Sequence, residues 1–459
     1  MGIKQLKLNV NELTIGMFVS GLDRPWTQSP FPLQGFYIRD MEELKKLKGL
    51  CSHVYVDVVK GRAPVAANLK NIVPDSSRPS PKSRSFGGAP VAPSIPVKPI
   101  KVNHNQYPLV KGLHREVKSA KQLHQKVYTA VGEILQGFDS EHAHNIPIAE
   151  TRKLASDMVD SVVRNPDALT WLTRVKEADD YTYSHALRAS VWAILFGRHI
   201  GMAKKELDVL ALGVLLKDVG KTKLPRRLLV KSDLSPEEQE EYQAFVELGV
   251  EILRETEGVE PKVISVVRTH CERLDGSGFP KHLVGDKIPL LGKVAGIVTY
   301  YDKVISPRGA TVPTAPSKAV AQLYEQRNTS FQEDLVVEFI RAIGLYPTGT
   351  LVELSTGEVG VVVEQNFERR LKPKVMVVLD AIKEPLDKTK LLDLSEDDRR
   401  KQALIDAGKK TLAELQKIEI VRDLEPGSYD VDIIKIRDEY LTAGAKKGIK
   451  GLIKRLTSS

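Results

Sequence analysis

HALRASVWAILFGRHIGMAKKELDVLALGVLLKDVGKTKLP, residues 185–225, decides the fold class of this chain. Apolar side chains recur at three- and four-residue intervals through HALRASVWAILFGRHI and again through LDVLALGVLLKDVG, the period of helices that bury a face. The same spacing continues outward, as in VYTAVGEILQGF at 127–138, and predicts one helical domain over residues 109–343. Polar residues interrupt these apolar runs where packing alone has no use for them: His185, then Lys217, Asp218 and Lys221. Further on, THCERLDGSGFP carries His270 and TYYDKVISPRG carries Asp302 and Arg308. Taken singly, each has an ordinary explanation, such as a satisfied core histidine, a carboxylate at a helix end or a solvated loop charge. Their order and spacing carry more than any one of them.

Around this domain the pattern changes. Residues 1–70 mix β-like runs such as HVYVDVV with one amphipathic stretch, DMEELKKLKGL, and read as a small N-terminal α/β domain. Residues 71–108 form a Pro- and Ser-rich linker, with PDSSRPSPKSRSFGGAPVAPSIPVKP at its centre, a composition that favours extended, solvated chain. After the helices, residues 344–382 read as a small β appendage. GTLVELSTGEVGVVVEQN gives two strands about a Thr-Gly turn, and KVMVVLDA gives a third. Residues 383–459 hold a charged helix (SEDDRRKQALIDAGKKTLAELQKI), a short β-like run (IEIVRDL) and the basic tail AKKGIKGLIKRL.

Composition narrows the function classes. Of 459 residues, 42% are hydrophobic and 28% charged, which fits neither a disordered chain nor a membrane-embedded one. Sixty-eight Lys and Arg against 59 Asp and Glu leave a net +9, too modest over this length to point to nucleic acid. The two cysteines, Cys51 and Cys271, lie far apart, which excludes a disulfide framework and a cysteine-only zinc site. The N-terminal MGIKQLKLNVNEL has no apolar core of signal-peptide length, Leu6 stands where a myristoylation motif needs Ser or Thr, and no apolar run reaches transmembrane length. The expectation is a cytoplasmic protein without a transmembrane segment.

From about Tyr181 to Arg308 the polar set resembles the HD-GYP branch of the bacterial HD superfamily. The resemblance lies in the tyrosine-rich lead to His185, the L-x-D-x-G-K-x-x-x-P stretch, the H-x-E-R-x-D-G-S-G-F-P block and the later Tyr-Asp pair. MFVSGLDRPWTQSPFPLQGFYI (17–38) is similar to the uncharacterised N-terminal domain often fused to such proteins. FIRAIGLYPTGTLVELSTGEVGVVVE (339–364) is similar to the β tail that follows them. The resemblance implies a mainly α fold: a helical HD-type bundle with a small N-terminal α/β domain and a small β appendage after the bundle. It also implies metal-dependent hydrolysis of cyclic di-GMP, since phosphodiester cleavage at neutral pH needs a metal-activated hydroxide and a Lewis acid.

Against that family pattern the chain departs in one direction. His185, Asp218 and His270 stand at ligand positions, but four other expected ligands are replaced by Lys217, Phe245, Cys271 and Thr299. A protonated lysine has no lone pair to donate and repels a cation, so Lys217 is expected to pair with Asp218 and supply the charge of the lost metal. The residual metal candidates are His185, Asp218, His270 and Cys271, with Cys271 able to serve a soft metal as a thiolate. Asp218 and Lys221 are the catalytic candidates, vestigial if hydrolysis is lost. Lys221, Asp302, Arg308 and the loop residues Gly276, Gly278, Phe279 and Pro280 are the ligand-binding candidates. PRGATVPTAP, at 307–316, stands where the family carries a basic phosphate-binding run. The expected function is a degenerate regulatory protein of cyclic di-GMP signalling that needs no cofactor and binds nucleotide, or signalling proteins through the Gly-Phe-Pro loop. The alternative is an active phosphodiesterase with a rearranged iron or manganese site.

Overall fold

The computed structural model describes residues 5–24, 29, 36–38, 41–57, 95–136, 146–174, 181–231, 233–307, 313–366, 369–407, 415 and 417–441. The chain divides into two compact units, residues 1–91 with 367–371, and residues 92–366 with 372–459.

In the first unit β1 (Gln5–Asn9), β2 (Phe18–Leu22), β3 (Phe36–Tyr37) and β4 (His53–Asp57) form an antiparallel sheet in the order β1-β4-β2-β3, with α1 (Met41–Leu50) between the last two strands. Val54 and Val56 alternate into the core as a period-two strand requires. They meet Leu44 and Leu47, one turn apart on α1. Cys51 is buried in this core, and burial followed by the Asp23 carboxylate pushes its thiol up to about 11, so it stays protonated.

The second unit is helical. Its helices are α2 (Leu113–Gln136), α3 (Ile148–Arg164), α4 (Pro166–Arg174), α5 (Tyr181–Ile200), α6 (Lys204–Leu216), α7 (Arg226–Val230), α8 (Pro236–Gln243), α9 (Phe245–Glu255), α10 (Pro261–Thr269), α11 (Leu290–Ile305), α12 (Pro316–Glu325) and α13 (Glu333–Ile343). Residues 185–225 run through α5, α6 and the short 3-10 turn after them. Residues 185–194 of α5 are all buried, so polar groups there must be satisfied by protein. Trp192 and Phe196 of α5, Tyr301 of α11 and Phe339 of α13 pack edge to face at centroid distances of 5.1–5.7 Å.

The turn Val219–Lys223 follows α6 and presses onto α9. A Cβ at Gly220 would fall 1.9 Å from the Phe245 carbonyl oxygen and 2.4 Å from Gly249 N, so only glycine permits this approach. That closeness carries Lys221 up against the Phe245 ring.

Of the expected linker, residues 71–94 lie outside the described residues, and residues 95–108 are attached to the helices. Asn103 N donates to the Ile200 carbonyl at 3.0 Å and Lys98 N to Asp286 at 2.9 Å. The Tyr107 hydroxyl donates to the Met202 carbonyl at 2.7 Å. Matched backbone partners and half-buried Ile95, Val97 and Ile100 outweigh the proline content.

Beyond α13, β5 (Leu351–Leu354), β6 (Val359–Glu364), β7 (Lys374–Leu379), β8 (Pro385–Asp393) and β9 (Ile420–Asp423) make an antiparallel sheet in the order β8-β7-β6-β5-β9. The three strands read at 349–381 are β5 to β7, and the IEIVRDL run supplies β9. Strand β8, PLDKTKLLD, is absent from the sequence reading. It is a mostly exposed, lysine-bearing edge that begins at proline and so lacks the apolar alternation of a core strand. Helix α14 (Leu394–Asp406) is capped by the Asp393 carboxylate. The Trp171 indole donates to the Val363 carbonyl at 2.8 Å and ties α4 to β6. Thus the fold is mainly α, with small sheets at the N-terminus and after the bundle. Among the described residues no helix is long and apolar enough to cross a membrane. The basic tail and Arg308 lie outside the described residues.

Candidate functional site

His185 sits one turn into α5 with no solvent exposure. Its Nδ1 meets Asp302 Oδ2 of α11 at 2.6 Å. The same carboxylate accepts from Arg188 Nε at 2.9 Å, from Arg188 Nη2 at 3.0 Å and from the Trp192 indole at 3.3 Å. His185, Arg188 and Trp192 are spaced at i, i+3 and i+7, one face of α5, so a single helix converges on one acid. Burial favours the neutral form of Asp302, but the Arg188 charge and the His185 contact override it and hold the carboxyl well below its usual range. Asp302 is therefore ionised and occupied by three donors. Asp302, one of the expected ligand-binding residues, fixes His185 and also lines the cavity beside Arg188.

Asp218 is 2% exposed and takes two ammonium groups. Lys217, fully buried, donates to its Oδ2, and Lys221 Nζ lies 2.7 Å from Oδ1. His185 Nε2 stands 4.0 Å from Oδ2. Burial opposes ionisation of Asp218, yet Lys217 and then Lys221 hold it far below the usual carboxylate range. Burial draws Lys217 down to about 8, leaving it mostly charged at neutral pH. The pairing expected from the sequence is present.

The remaining positions close around that ion cluster. The Phe245 ring lies 5.8 Å from the His270 ring and 6.2 Å from that of Phe279, and Lys221 Nζ sits 5.1 Å from its centroid. Cys271 belongs to the same apolar cluster with Leu224 and Val246, and burial raises its thiol. His270 donates through Nδ1 to the Val267 carbonyl at 2.7 Å, and burial pushes it down to about 3. His185 is likewise pushed down to about 3, by burial and then by Lys217, so both rings are neutral.

The loop 276–280 is held by local structure. Glu272 accepts from Lys281 N at 2.8 Å and Leu283 N at 2.9 Å, and Asp275 accepts from Ser277 N at 3.0 Å. At Gly278 a Cβ would meet Arg273 N at 2.3 Å and Cys271 O at 2.5 Å, while Gly276 has φ 82°. Phe279 and Pro280 are half-buried, with Phe279 against Phe245.

These residues do not fit a bridged metal pair. Both Asp218 oxygens face ammonium groups, Phe245 fills its position with a ring, and Cys271 keeps its proton. Among the described residues His270 Nε2 and Thr299 Oγ1 are buried without a hydrogen-bond partner, and these with the neutral His185 ring fall short of the ligand count of a bridged metal pair. The local charge is positive: Lys217, Lys221 and Arg188 face Asp218 and Asp302, and the Lys303 charge also bears on Lys217, His270 and Cys271. Such a field repels a cation and favours an anion. A cavity of about 380 Å³ is lined by Arg188, Trp192, Asp302, Thr314, Pro426 and Val431 among others. Arg188 and Lys303 were not among the sequence candidates; an arginine three residues after His185 within an apolar helix was the available signal.

Comparison with known proteins agrees with this architecture. Residues 5–147 match a family described as a domain of unknown function (DUF3391), residues 167–335 match the HD domain, and residues 351–400 match the KOW domain associated with HD domain. The chain is 28% identical over 379 residues to cyclic di-GMP phosphodiesterase PA4108 of Pseudomonas aeruginosa, covering 82% of this chain and 85% of that protein. It is 31% identical over 157 residues to 3'3'-cGAMP-specific phosphodiesterase 2 of Vibrio cholerae, covering 34% of this chain and 30% of that one. To cyclic di-GMP phosphodiesterase response regulator RpfG of Xanthomonas campestris pv. campestris it is 27% identical over 205 residues, covering 44% and 54%. A solved structure of Bd1817, a HDG"Y"P protein from Bdellovibrio bacteriovorus, aligns over 73% of this chain and 98% of that one, at TM-score 0.42 and 15% identity.

Proposed function

The chain is an HD-domain protein with a DUF3391 domain ahead of its HD domain, and from that premise we propose that it regulates cyclic di-GMP signalling by binding, without hydrolysis. The observation that carries this reading is the Lys217 ammonium on Asp218, with Lys221 on the other oxygen. An ammonium neutralises the buried carboxylate as a metal would, but it neither lowers the pKa of a water nor polarises a phosphoryl oxygen. The scaffold keeps its shape while the source of hydroxide is lost.

Nucleotide binding is supported by the positive field about Asp218 and by the cavity beside Arg188. It is weakened by Lys221, whose ammonium is turned inward onto Asp218 instead of outward to a phosphate. Protein binding is supported by the loop at 276–280, built rigidly by Glu272 and half exposed at Phe279 and Pro280.

The test is titration of the full chain with cyclic di-GMP in the presence of manganese or iron, following binding and the linear product together. Saturable binding without product supports a nucleotide receptor. Neither binding nor product moves the role to protein contact through the loop. Product formation that Asp218→Ala abolishes overturns the proposal and supports the alternative, a phosphodiesterase using His185, Asp218, His270 and Cys271.

A further inference from the structure

About four turns beyond His185 on the same helix, roughly 20 Å along its axis, a second polar cluster forms at the far end of α5. His199 Nε2, from the last turn of α5, lies 3.0 Å from Glu338 Oε2 of α13. His104 Nε2, from the attached segment 95–108, lies 2.9 Å from that same oxygen. The three atoms are all within 4.8 Å of one another, and the two imidazole centroids are 4.6 Å apart. We propose that His104, His199 and Glu338 form a binding site for a divalent transition metal of the zinc class, clipping the segment 95–108 to the helical bundle.

The geometry matches that ion. Four-coordinate zinc with bonds of about 2.0–2.1 Å places its ligand atoms about 3.3 Å apart. The two histidine–carboxylate contacts, at 2.9 and 3.0 Å, need only a few tenths of an ångström of expansion, while the two imidazole nitrogens lie within 4.8 Å of each other and close to that spacing on binding. Two imidazoles and one carboxylate are a donor set suited to zinc, with the fourth position left to water. Each ring converts from hydrogen-bond donor to ligand by carrying its proton on Nδ1, a change of tautomer without change of charge.

The carboxylate is prepared for the role. Glu338 is 4% exposed, and its other oxygen accepts from Arg341 Nη1 at 2.7 Å, which orients Oε2 toward the two rings. Burial opposes its ionisation, but the contacts from His104 and His199 and the Arg341 charge hold it ionised. The third ligand is delivered by separate bonds. Arg198 Nη2 donates to the Tyr107 carbonyl at 2.7 Å, and Asn103 packs on Gly201, where a Cβ would fall 2.4 Å from its carbonyl oxygen. His104 is thus held in place by contacts that do not involve its ring.

The test uses the full chain stripped of metal and titrated with zinc, and with cobalt(II) for its visible spectrum. The expected result is one saturable equivalent, a cobalt spectrum without a thiolate charge-transfer band, and a zinc-dependent rise in melting temperature. His104→Gln and His199→Gln should each lower zinc affinity at least tenfold and abolish the zinc-dependent rise in melting temperature, read relative to each variant's own metal-free melt. Absence of a saturable equivalent, binding unchanged in both variants, or a cobalt–thiolate band that moves the ion to Cys271 would each overturn the proposal.

Discussion

Replacing Asp218 with Asn removes the charge that holds two lysines in the interior. Lys217 has no exposure, and its proton affinity is drawn down from 10.5 to about 8 even with Asp218 beside it. At about 1.4 kcal/mol per pH unit, keeping Lys217 charged already costs about 3 kcal/mol at pH 7 relative to the unfolded chain. Without Asp218 the ammonium sheds its proton, which at pH 7 costs about 5 kcal/mol, so Lys217 alone adds about 1–2 kcal/mol of destabilisation. The charge-assisted contact to Lys221 is lost as well, worth about another 1.5 kcal/mol. The expected total is about 3 kcal/mol, near the lower end for breaking a buried ion pair from one side. Denaturant unfolding of Asp218→Asn in the presence of a chelator measures it. The double variant Lys217→Met/Asp218→Leu should recover most of the loss, because an apolar pair leaves no buried charge behind. A change below about 1 kcal/mol in chelator, or a wild-type chain stabilised by manganese through Asp218, would refute the assignment of Lys217 as the charge partner.

The paired imidazoles give a pH signature. Folded His185 and His270 take up protons only near pH 3, whereas unfolded imidazoles do so near 6.5; stability is therefore complete above 6.5 and falls as pH drops toward 3. The slope should reach about 1.4 kcal/mol per pH unit for each ring, and His270→Gln should remove about half of it, read from denaturant midpoints between pH 6.5 and 4.5. Gly278→Ala should cost about 3 kcal/mol, since its Cβ meets backbone atoms of residues 271–273, and it should unseat Phe279 from Phe245, seen as loss of stability and of loop protection in hydrogen exchange. Restoring the ligands with Lys217→His, Phe245→His, Cys271→His and Thr299→Asp, in a His104→Gln background that silences the second cluster, should confer at least one equivalent of bound manganese or iron by metal analysis. Failure of that variant to gain metal while folding normally would show that more than ligand identity has been lost.

His185, Asp218 and His270 stood out in the sequence as polar residues interrupting apolar runs, but their place as ligand positions, and Lys217 as a substitution among them, came from the HD-GYP resemblance. The helical unit and strands β5 to β7 followed from hydrophobic period and turn residues together with the family resemblance. The role of Asp302 was not legible. It lies 114 residues from Arg188 and 117 from His185, and only the packing of α11 on α5 shows that its carboxylate is consumed by those donors. Lys221 misleads for a similar reason: spacing identifies the residue but not the inward turn of its ammonium onto Asp218. His104, His199 and Glu338 belong to three distant segments and share no local pattern, so their convergence emerges only in three dimensions. Segment 95–108 is attached through Asn103 N on the Ile200 carbonyl, Lys98 N on Asp286 and the Tyr107 hydroxyl on the Met202 carbonyl, contacts that a proline count does not register.

The loss of hydrolysis is tested most directly by incubating the purified full chain with cyclic di-GMP and saturating manganese or iron and quantifying the linear dinucleotide. The Lys217–Asp218–Lys221 cluster predicts no product above the protein-free control. Metal-dependent product that disappears in Asp218→Ala would contradict it.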